Sequence, residues 1–452
     1  MPSGDIGKDR AGKIPVAPDT IAAVATAAGR GGIGVVRVSG PKVPAIATAV
    51  IGLLPEPRRA VHCSFCAANG ERVDEGIALY FRAPHSYTGE EVLELQGHGG
   101  PVVMQAVLEA VLEAGARLAA PGEFTQRAYL NDRLDLAQAE AVADLIDAAS
   151  REAARSALRS LDGDFSAVIT HLVGGLTELR ALTEAMLDFP DEEVDALHRD
   201  DAGRRLGELR AALEDVLAKS RQGSLLRTGI HAVLAGRPNV GKSSLLNRLA
   251  GAERAIVTAV PGTTRDVLRE AIQIEGVPIV VVDTAGLRDS HDEVERLGME
   301  RTRQEMARAD VLLVILEAGR LEAPQGPLPE AAVRLNVINK IDLLPGAAAG
   351  RKGSDVYVSA KTGAGIDDLR AAVLEAAGWN ARGETVFLAR ERHLRALGAA
   401  RVHLEEAATH ALRWELFAEE LRLAQDALGE ITGRVTADEL LGEIFSRFCI
   451  GK

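Results

Sequence analysis

Cysteine is scarce in this sequence, which has three in 452 residues. Cys63, Cys66 and Cys449 do not suggest a disulfide framework, and their low number is typical of proteins in a reducing cytosol. Cys63 and Cys66 form a single CxxC, whereas a zinc site needs about four ligands and no second CxxC or close histidine pair is present. We therefore expect no metal or redox site there and expect a cytoplasmic protein.

Long hydrophobic runs and an excess of basic charge are also missing. Since no stretch of about 18 apolar residues occurs, no membrane span is expected. The start of the chain carries charges but no apolar core, so we predict a flexible tail over 1–19 rather than a secretory signal. The net charge of −13 excludes a globally basic surface, so any contact with nucleic acid must be local or shared with a partner.

The most informative segment is 236–244, which reads Gly-x-x-x-x-Gly-Lys-Ser-Ser. An apolar run at 230–235 precedes it as a predicted buried strand, and an amphipathic run at 244–249 follows it as a predicted helix. This strand–loop–helix context is what a phosphate-binding P-loop requires. Lys242 would reach the β- and γ-phosphates, and the Ser243 hydroxyl would hold Mg²⁺.

Further motifs in the same region predict a guanine nucleotide. An apolar strand at 279–283 ends in Asp-x-x-Gly, where Asp283 would order Mg²⁺ through water and the Gly286 amide would meet the γ-phosphate. Segment 339–342 reads Asn-Lys-Ile-Asp. The carboxylate of Asp342 can accept from guanine N1–H and the 2-amino group, a donor pair that adenine lacks.

Neighbouring residues are predicted to contact the other parts of guanine. Asn339 would bond the other edge of guanine, and the stem of Lys340 would cover the ring. Segment 359–361 reads Ser-Ala-Lys, and its Ala360 amide suits guanine O6. Together these motifs predict an inserted Ras-like α/β P-loop G domain over 228–383.

The group that activates water is not evident from these motifs. Ras-like enzymes use a Gln after Asp-x-x-Gly, but here that position is Leu287. A mobile switch loop is predicted at 258–266, with Thr264 on Mg²⁺. One of the carboxylates in 288–296 could orient water. A solvated switch helix would explain most of these acidic residues equally well. The candidates are Asp289, Asp292, Glu293 and Glu295.

The regions on either side of the G domain differ in character. Residues 20–132 predict an α+β domain with a helix at 101–114, and with strands at 21–26, 34–39, 77–81 and 91–95. The glycine-rich segment 28–34 joins the first two strands and has no helix after it, which favours a hairpin or crossover turn over dinucleotide binding.

The remaining segments, 133–227 and 384–452, predict one all-α helical domain into which the G domain is inserted. Predicted helices lie at 134–161, 165–187, 204–217, 388–408 and 412–428. Asp135 is a predicted N-cap with Gln138 three residues later, and 436–439 is a capping box for a last helix. The acidic segment 188–193 is interpreted as a solvated connection.

The P-loop followed by Gly-Thr-Thr-Arg-Asp at 262–266 resembles the TrmE–Era–EngA-like G proteins. Within that group the flanking segments resemble the MnmE (TrmE) family of tRNA modification GTPases over roughly residues 20–452. The segments are 30–37, 86–90, 95–100, 121–127, 131–138 and the terminal Phe-Cys-Ile-Gly-Lys at 448–452. With the motifs above, the predicted GTP-binding residues are Asn239, Val240, Gly241, Lys242, Ser243, Ser244, Thr258, Ala259, Val260, Pro261, Gly262, Thr263, Thr264, Asp283, Thr284, Ala285, Gly286, Asn339, Lys340, Asp342, Ser359, Ala360 and Lys361.

The resemblance implies two further ligands and a catalytic residue. K⁺ would activate the GTPase, and Glu295 would orient water. The N-terminal domain would dimerise and bind a tetrahydrofolate derivative, either 5-formyl- or 5,10-methylene-tetrahydrofolate. The K⁺ ligands would be Asn239, Thr258, Val260 and Thr263, and the folate would contact Arg37, Glu94, Arg133 and Lys452.

The resemblance also implies the reaction. A homodimer would join an FAD-dependent MnmG (GidA)-type partner in a heterotetramer or larger complex. The complex would add a carboxymethylaminomethyl or aminomethyl group to C5 of the wobble uridine, position 34, of certain tRNAs. Cys449 is then a candidate nucleophile or a small buried packing residue, and His98 is interpreted as structural. The alternatives are an Era- or EngA-like ribosome-assembly GTPase and a folate-dependent one-carbon enzyme with a regulatory G domain.

Overall fold

The structure is a computed structural model that divides into two compact units, 1–143 with 425–452, and 144–424. The second unit therefore contains both the P-loop sheet and most of the helices on either side of it in sequence. Among the helices that the structure describes, none combines the length and the apolar character needed to cross a membrane. The described residues are 19–188, 195–251, 269–283, 309–322, 333–380, 386–410, 413–434, 438–446, 448–449 and 451.

The first unit is built on a six-stranded sheet in the order β3-β4-β5-β2-β1-β6. Neighbouring strands are antiparallel except β1 and β6, which are parallel. The predicted α+β class is confirmed. The elements are β1 (Ile21–Val24), β2 (Gly34–Ser39), α1 (Val43–Ile51), β3 (Val61–Cys66), β4 (Arg72–Phe81), β5 (Val92–Gly97), α2 (Pro101–Glu113), β6 (Arg117–Leu118) and α3 (Glu123–Leu130).

The glycine-rich segment 28–34 connects an antiparallel hairpin, as predicted, because β1 pairs with β2 from Ile21↔Ser39 to Val24↔Val36. A Cβ at Gly34 would lie 2.3 Å from the sulfur of Met104 on α2, so a side chain there would require Met104 to move. The core between sheet and helices contains alternate residues of β2 together with α1 and α2. Sequence reasoning did not predict α1, β3 or α3.

Four helices follow: α4 (Leu136–Ile146), α5 (Arg151–Asp162), α6 (Asp164–Asp188) and α7 (Asp195–Thr228). The capping box of α4 is present as predicted, because the Asp135 amide donates to Gln138 Oε1 (3.0 Å) and the Gln138 amide to Asp135 Oδ1 (2.9 Å). The prediction of one helix over 134–161 is wrong. The helix is interrupted before Ser150, whose hydroxyl accepts from the Ala153 amide (3.1 Å) and caps α5.

The P-loop region forms a seven-stranded sheet in the order β12-β13-β11-β10-β7-β9-β8. Its five central strands are parallel, which confirms the predicted α/β class, and the edge strands β8 and β12 are antiparallel. The elements are β7 (Ile230–Gly236), α8 (Lys242–Ala250), β8 (Arg269–Ile274), β9 (Val277–Asp283), β10 (Val311–Glu317), β11 (Val333–Asn339), β12 (Gly350–Lys352), β13 (Asp355–Tyr357) and α9 (Ile366–Ala376).

Two more helices follow; the first lies in the second unit, and the second begins there and ends in the residues of the first unit. These are α10 (Glu391–Thr409) and α11 (Trp414–Thr432), after which α12 (Asp438–Ser446) packs in the first unit. Phe445 of α12 lies in a buried cluster with Tyr129 and Leu136. The hydroxyl of Tyr129 donates to the Gly433 carbonyl (2.8 Å), which fixes the chain just before α12. Asp188, the first residue of the predicted acidic connection, ends α6, whereas 189–193 and the start of the predicted capping box at 436 lie outside the described residues.

Candidate nucleotide site

The loop between β7 and α8 has the backbone shape of a phosphate-binding loop. Asn239 (φ 65°) and Gly241 (φ 93°) both adopt the left-handed conformation that turns the chain into the helix. A Cβ at Gly236 would lie 2.8 Å from the Ile315 carbonyl oxygen, and one at Gly241 would lie 2.4 Å from Asn339 Nδ2. Close packing therefore requires a glycine at 236, and both close packing and backbone shape require one at 241.

The phosphate side of the site lies at the N-terminus of α8. Free amides and the helix dipole favour an anion at this position. Lys242 opens α8, and its Nζ donates to the Gly236 carbonyl (2.9 Å). The exposed Ser243 follows, and Asp283 ends β9 with its backbone in register with Leu234 of the neighbouring β7. A serine hydroxyl is a hard oxygen donor, so the chemistry of Ser243 fits the predicted Mg²⁺.

Asn339 ties the phosphate loop to the base side of the site. Its side chain is 2% exposed. Nδ2 donates to the Val240 carbonyl (2.9 Å), and Oδ1 accepts from the Ala360 amide (3.0 Å). The predicted contact of Asn339 with the base remains a prediction, whereas the structure gives it a bracing role that sequence reasoning missed.

Asp342 is held ready to accept hydrogen bonds. The Ser359 hydroxyl donates to Asp342 Oδ1 (2.6 Å), and this bond is the main cause that lowers the pKa of the Asp342 carboxyl below its usual value. Nearby Lys361 and Lys340 lower the pKa further. Lys340 itself has φ 65° and forms an ion pair with Glu317 (3.1 Å). The carboxylate is thus kept ionised beside the Ser-Ala-Lys segment, as the guanine-recognition hypothesis requires.

Several predicted residues lie outside the described part of the chain, so their roles stay predictions. They include the switch segment, the end of the Asp-x-x-Gly motif, the proposed water-orienting residue and the last residue of the chain. These are Thr258, Ala259, Val260, Pro261, Gly262, Thr263, Thr264, Thr284, Ala285, Gly286, Glu295 and Lys452.

The predicted folate residues of the first unit lie close to the loop that carries Tyr87. Arg37 and Glu94 face each other across β2 and β5, and Arg37 Nε donates to Glu94 Oε1 (2.9 Å). The Arg37 guanidinium also lies over the ring of Tyr87, 5.4 Å from its centroid. A Cβ at Gly89 would lie 3.3 Å from Cγ of Arg133, so Arg133 is close to the same loop. Sequence reasoning did not predict the contact with Tyr87.

The first unit also contains a cavity of about 980 Å³. Its walls come from the glycine-rich segment after β1, the first turns of α2, and Cys449. Cys449 is exposed, so the interpretation of Cys449 as a buried packing residue is wrong. The chain passes along this wall because the Gly122 amide donates to the Cys449 carbonyl (3.4 Å).

His98 is fixed by a buried carboxylate in the first unit. Its backbone amide donates to Asp74 Oδ2 (2.8 Å), and its Nδ1 lies 2.7 Å from Asp74 Oδ1. These contacts hold the Gly-His-Gly-Gly turn that leads into α2, a role that agrees with the structural interpretation of His98.

The P-loop, the bracing asparagine and the ionised Asp342 on a parallel α/β sheet define a P-loop GTP-binding protein. Two family models match: "GTP-binding protein TrmE N-terminus" over 20–133 and "MnmE helical domain" over 136–449. The tRNA modification GTPase MnmE of Thiobacillus denitrificans is 60% identical over 98% of this chain and 100% of its own length. That of Ralstonia nicotianae is 58% identical over 98% of each chain.

This chain therefore belongs to the MnmE family of tRNA modification GTPases, and it is a GTP hydrolase. The solved G domain of the T. maritima FeoB iron transporter covers 33% of this chain and 98% of its own, at 20% identity with a TM-score of 0.23. The matches over nearly the full length do not support the Era- or EngA-like alternative.

Proposed function

We propose that this chain is a K⁺-activated GTPase that acts with an FAD-dependent MnmG-type partner. Together they add a carboxymethylaminomethyl or aminomethyl group at C5 of the wobble uridine of certain tRNAs in the cytoplasm. The one-carbon unit comes from a tetrahydrofolate derivative. The observation that carries the proposal is the large cavity beside Cys449, because a switch that only binds RNA has no need of such a chamber.

The chemistry of Arg37 and Glu94 fits a folate. A pterin ring has the same amino-pyrimidinone edge as guanine, so a carboxylate such as Glu94 can accept from its N–H donors. Arg37 forms an ion pair with that carboxylate (2.9 Å) and orients it. Arg133, which is exposed nearby, and Lys452 supply positive charge for the carboxylates of the glutamate tail.

Cys449 lies where a thiol could reach a molecule in the cavity. Its exposure leaves the sulfur open to reagents, unlike the half-buried Cys63, whose pKa is raised by burial. We propose that Cys449 acts as a nucleophile in the tRNA-modifying reaction. In that case Cys449→Ser should abolish tRNA modification but retain GTP hydrolysis, whereas Cys63→Ser should retain both.

An apolar surface around the cavity supports the proposed homodimer. Ile33 (69% exposed) and Leu118 (50%) line the cavity, and Val102 (82%) follows Pro101 of its wall. Large apolar side chains grouped at one opening mark a surface that another protein covers. The acidic net charge supports a shared tRNA site, to which the MnmG-type partner would contribute basic groups.

The proposed GTPase mechanism replaces two groups used by Ras-like enzymes. Leu287 cannot orient water, so Glu295 takes that role. In place of an arginine finger, K⁺ held by Asn239, Thr258, Val260 and Thr263 would supply positive charge for the phosphoryl group that is transferred. Asn239 supports this part of the proposal, because its left-handed backbone places it within the tight turn just before α8.

Modified nucleosides in tRNA test the whole proposal. In a strain that lacks this protein, the carboxymethylaminomethyl group at position 34 should disappear and should return with the wild-type gene. The Glu94→Gln variant should fail to restore it, whereas Glu75→Gln, which changes an exposed carboxylate on β4, should succeed. An unchanged nucleoside profile in the deletion strain would contradict the proposed reaction.

Steady-state GTPase assays test the cation and the water-orienting group. Activity should be high in K⁺ and low in Na⁺, and equal rates would exclude the proposed K⁺ site. Glu295→Ala should bind GTP normally but lose most turnover, because orientation of the attacking water accounts for a large part of the rate of hydrolysis. Asp292→Ala is the matched control from the same acidic segment. Equal losses in the two variants would refute a specific role for Glu295.

A further inference from the structure

We propose that Arg248, at the end of the second turn of α8, is a positioning residue for guanine recognition. It holds the Ser-Ala-Lys segment and, through that segment, the carboxylate of Asp342. The inference rests on the proposed assignment of Asp342 to the guanine edge. Neither the P-loop motif nor the base motif includes Arg248.

The contacts of Arg248 are directed at two successive peptide carbonyls. Its Nε donates to the Ala360 oxygen (3.1 Å), and its Nη2 donates to the Lys361 oxygen (2.7 Å). A charged guanidinium makes stronger hydrogen bonds than a neutral donor, and its planar fork matches two acceptors at once. A lysine at this position could engage one carbonyl but not both in the same geometry.

The second contact continues to Asp342 through a planar peptide. The Lys361 carbonyl and the Thr362 amide belong to the same peptide plane, so fixing one fixes the direction of the other. The Thr362 amide donates to the Ser359 hydroxyl oxygen (3.1 Å), and that hydroxyl donates to Asp342 Oδ1 (2.6 Å). Arg248 is therefore three contacts away from the carboxylate that selects guanine.

Arg248 is itself held from the other side by α9. Nη2 of Arg370 lies 3.3 Å from the Arg248 carbonyl oxygen and 3.4 Å from that of Leu249, where α8 ends. Lys242 and Arg248 are six residues apart, or about 9 Å along the helix. One short helix thus carries a phosphate-loop group at its start and the group that orients the base-side segment near its end.

The test compares GDP with IDP, which lacks the 2-amino group that Asp342 is proposed to bind. Calorimetric titration should show that Arg248→Ala lowers the preference for GDP over IDP by about three- to tenfold, the effect of one or two hydrogen bonds. Arg248→Lys should lie between this variant and the wild type. Arg370→Ala is the control, because it removes the contact at the end of α8 but leaves the two carbonyl bonds of Arg248.

The Asp342→Asn variant separates failure of this inference from failure of the base assignment. If Asp342→Asn lowers the GDP preference and Arg248→Ala does not, Arg248 is not a positioning residue. If Asp342→Asn leaves the preference unchanged, the base assignment is wrong and the inference fails with it. An equal loss of GDP and IDP affinity in Arg248→Ala would indicate general destabilisation and would also overturn the proposal. Arg248→Lys keeps the aliphatic stem and the charge, so this variant can be used for the same titration if Arg248→Ala does not fold.

Discussion

Replacement of Asn339 by alanine should weaken nucleotide binding strongly. The side chain is almost fully buried and bonds the Val240 carbonyl and the Ala360 amide at 2.9 and 3.0 Å. Truncation leaves both partners without their hydrogen bond, and a buried polar group left in this way costs about 1–3 kcal/mol. Because water can reach Ala360, which is only half-buried, we expect a total of about 2–4 kcal/mol.

Without nucleotide the loop can relax to hydrate both groups, and binding must then restore the arrangement, so the cost appears as lost affinity. At about 1.4 kcal/mol for each factor of ten, GDP should bind roughly 30- to 700-fold more weakly. The assay is equilibrium titration with a fluorescent GDP analogue, with thermal unfolding measured on the same samples. Asn339→Asp keeps the shape and the Ala360 bond but turns a carboxylate oxygen toward the Val240 carbonyl, so it should be as damaging.

Asn336→Ala is the matched control on the same strand. The Asn336 side-chain amide donates to Asp355 Oδ1 (2.7 Å) on β13, and its Oδ1 accepts from Arg334 Nε (3.0 Å) on β11, so these contacts lie within the sheet. Asn336→Ala should therefore lower the free energy of unfolding without a specific loss of GDP affinity. GDP affinity of Asn339→Ala within threefold of wild type, or an equal loss in Asn336→Ala, would refute the bracing role.

Three further changes test other parts of the structure. Gly241→Ala should abolish GDP binding in the same titration, because φ is 93° and the new Cβ meets a side-chain nitrogen at 2.4 Å; retained binding would contradict this. Tyr129→Phe should lower the free energy of unfolding by about 1 kcal/mol, since it leaves the buried Gly433 carbonyl without its donor; an unchanged urea midpoint would argue against it. The lowered pKa of Asp342 keeps guanine binding intact as pH falls, until the pH passes through that pKa. Ser359→Ala should raise the pKa of Asp342 toward its ordinary value of 3.8, so the loss of GDP affinity in acid should begin at higher pH. If the affinity falls over the same pH range as in the wild type, the Ser359 hydrogen bond is not what lowers the pKa of Asp342.

The local elements that sequence reasoning located correctly are those set by short-range rules. β2 begins and ends where the apolar alternation does, and the Asp135 capping box opens α4 as predicted. These features depend on residues within a few positions of each other, so the sequence contains all the information needed.

The errors concern elements whose ends or existence the local apolar pattern does not show. The run 134–161 has helical composition throughout, yet Ser150 interrupts it, because its hydroxyl can bond the backbone in place of the helical carbonyl. The edge strands β8 and β12 were missed, since an edge strand packs fewer neighbours and carries a weaker apolar signal.

The chemistry of the nucleotide site could be predicted from the amino-acid sequence alone. The glycines, Lys242, Ser243 and Asp342 are recognisable because phosphate and guanine demand those groups at those spacings, whatever the rest of the chain does.

The contacts that position those groups are visible only in the tertiary structure. Asn339 and Val240 are 99 residues apart, and Arg248 and Ala360 are 112 apart, so no local pattern could reveal their contacts. The exposure of Cys449 at a cavity formed by the glycine-rich segment and α2 was equally hidden. Parallel strands bring their carboxyl ends to one edge of a sheet, and that convergence joins the distant motifs into one site.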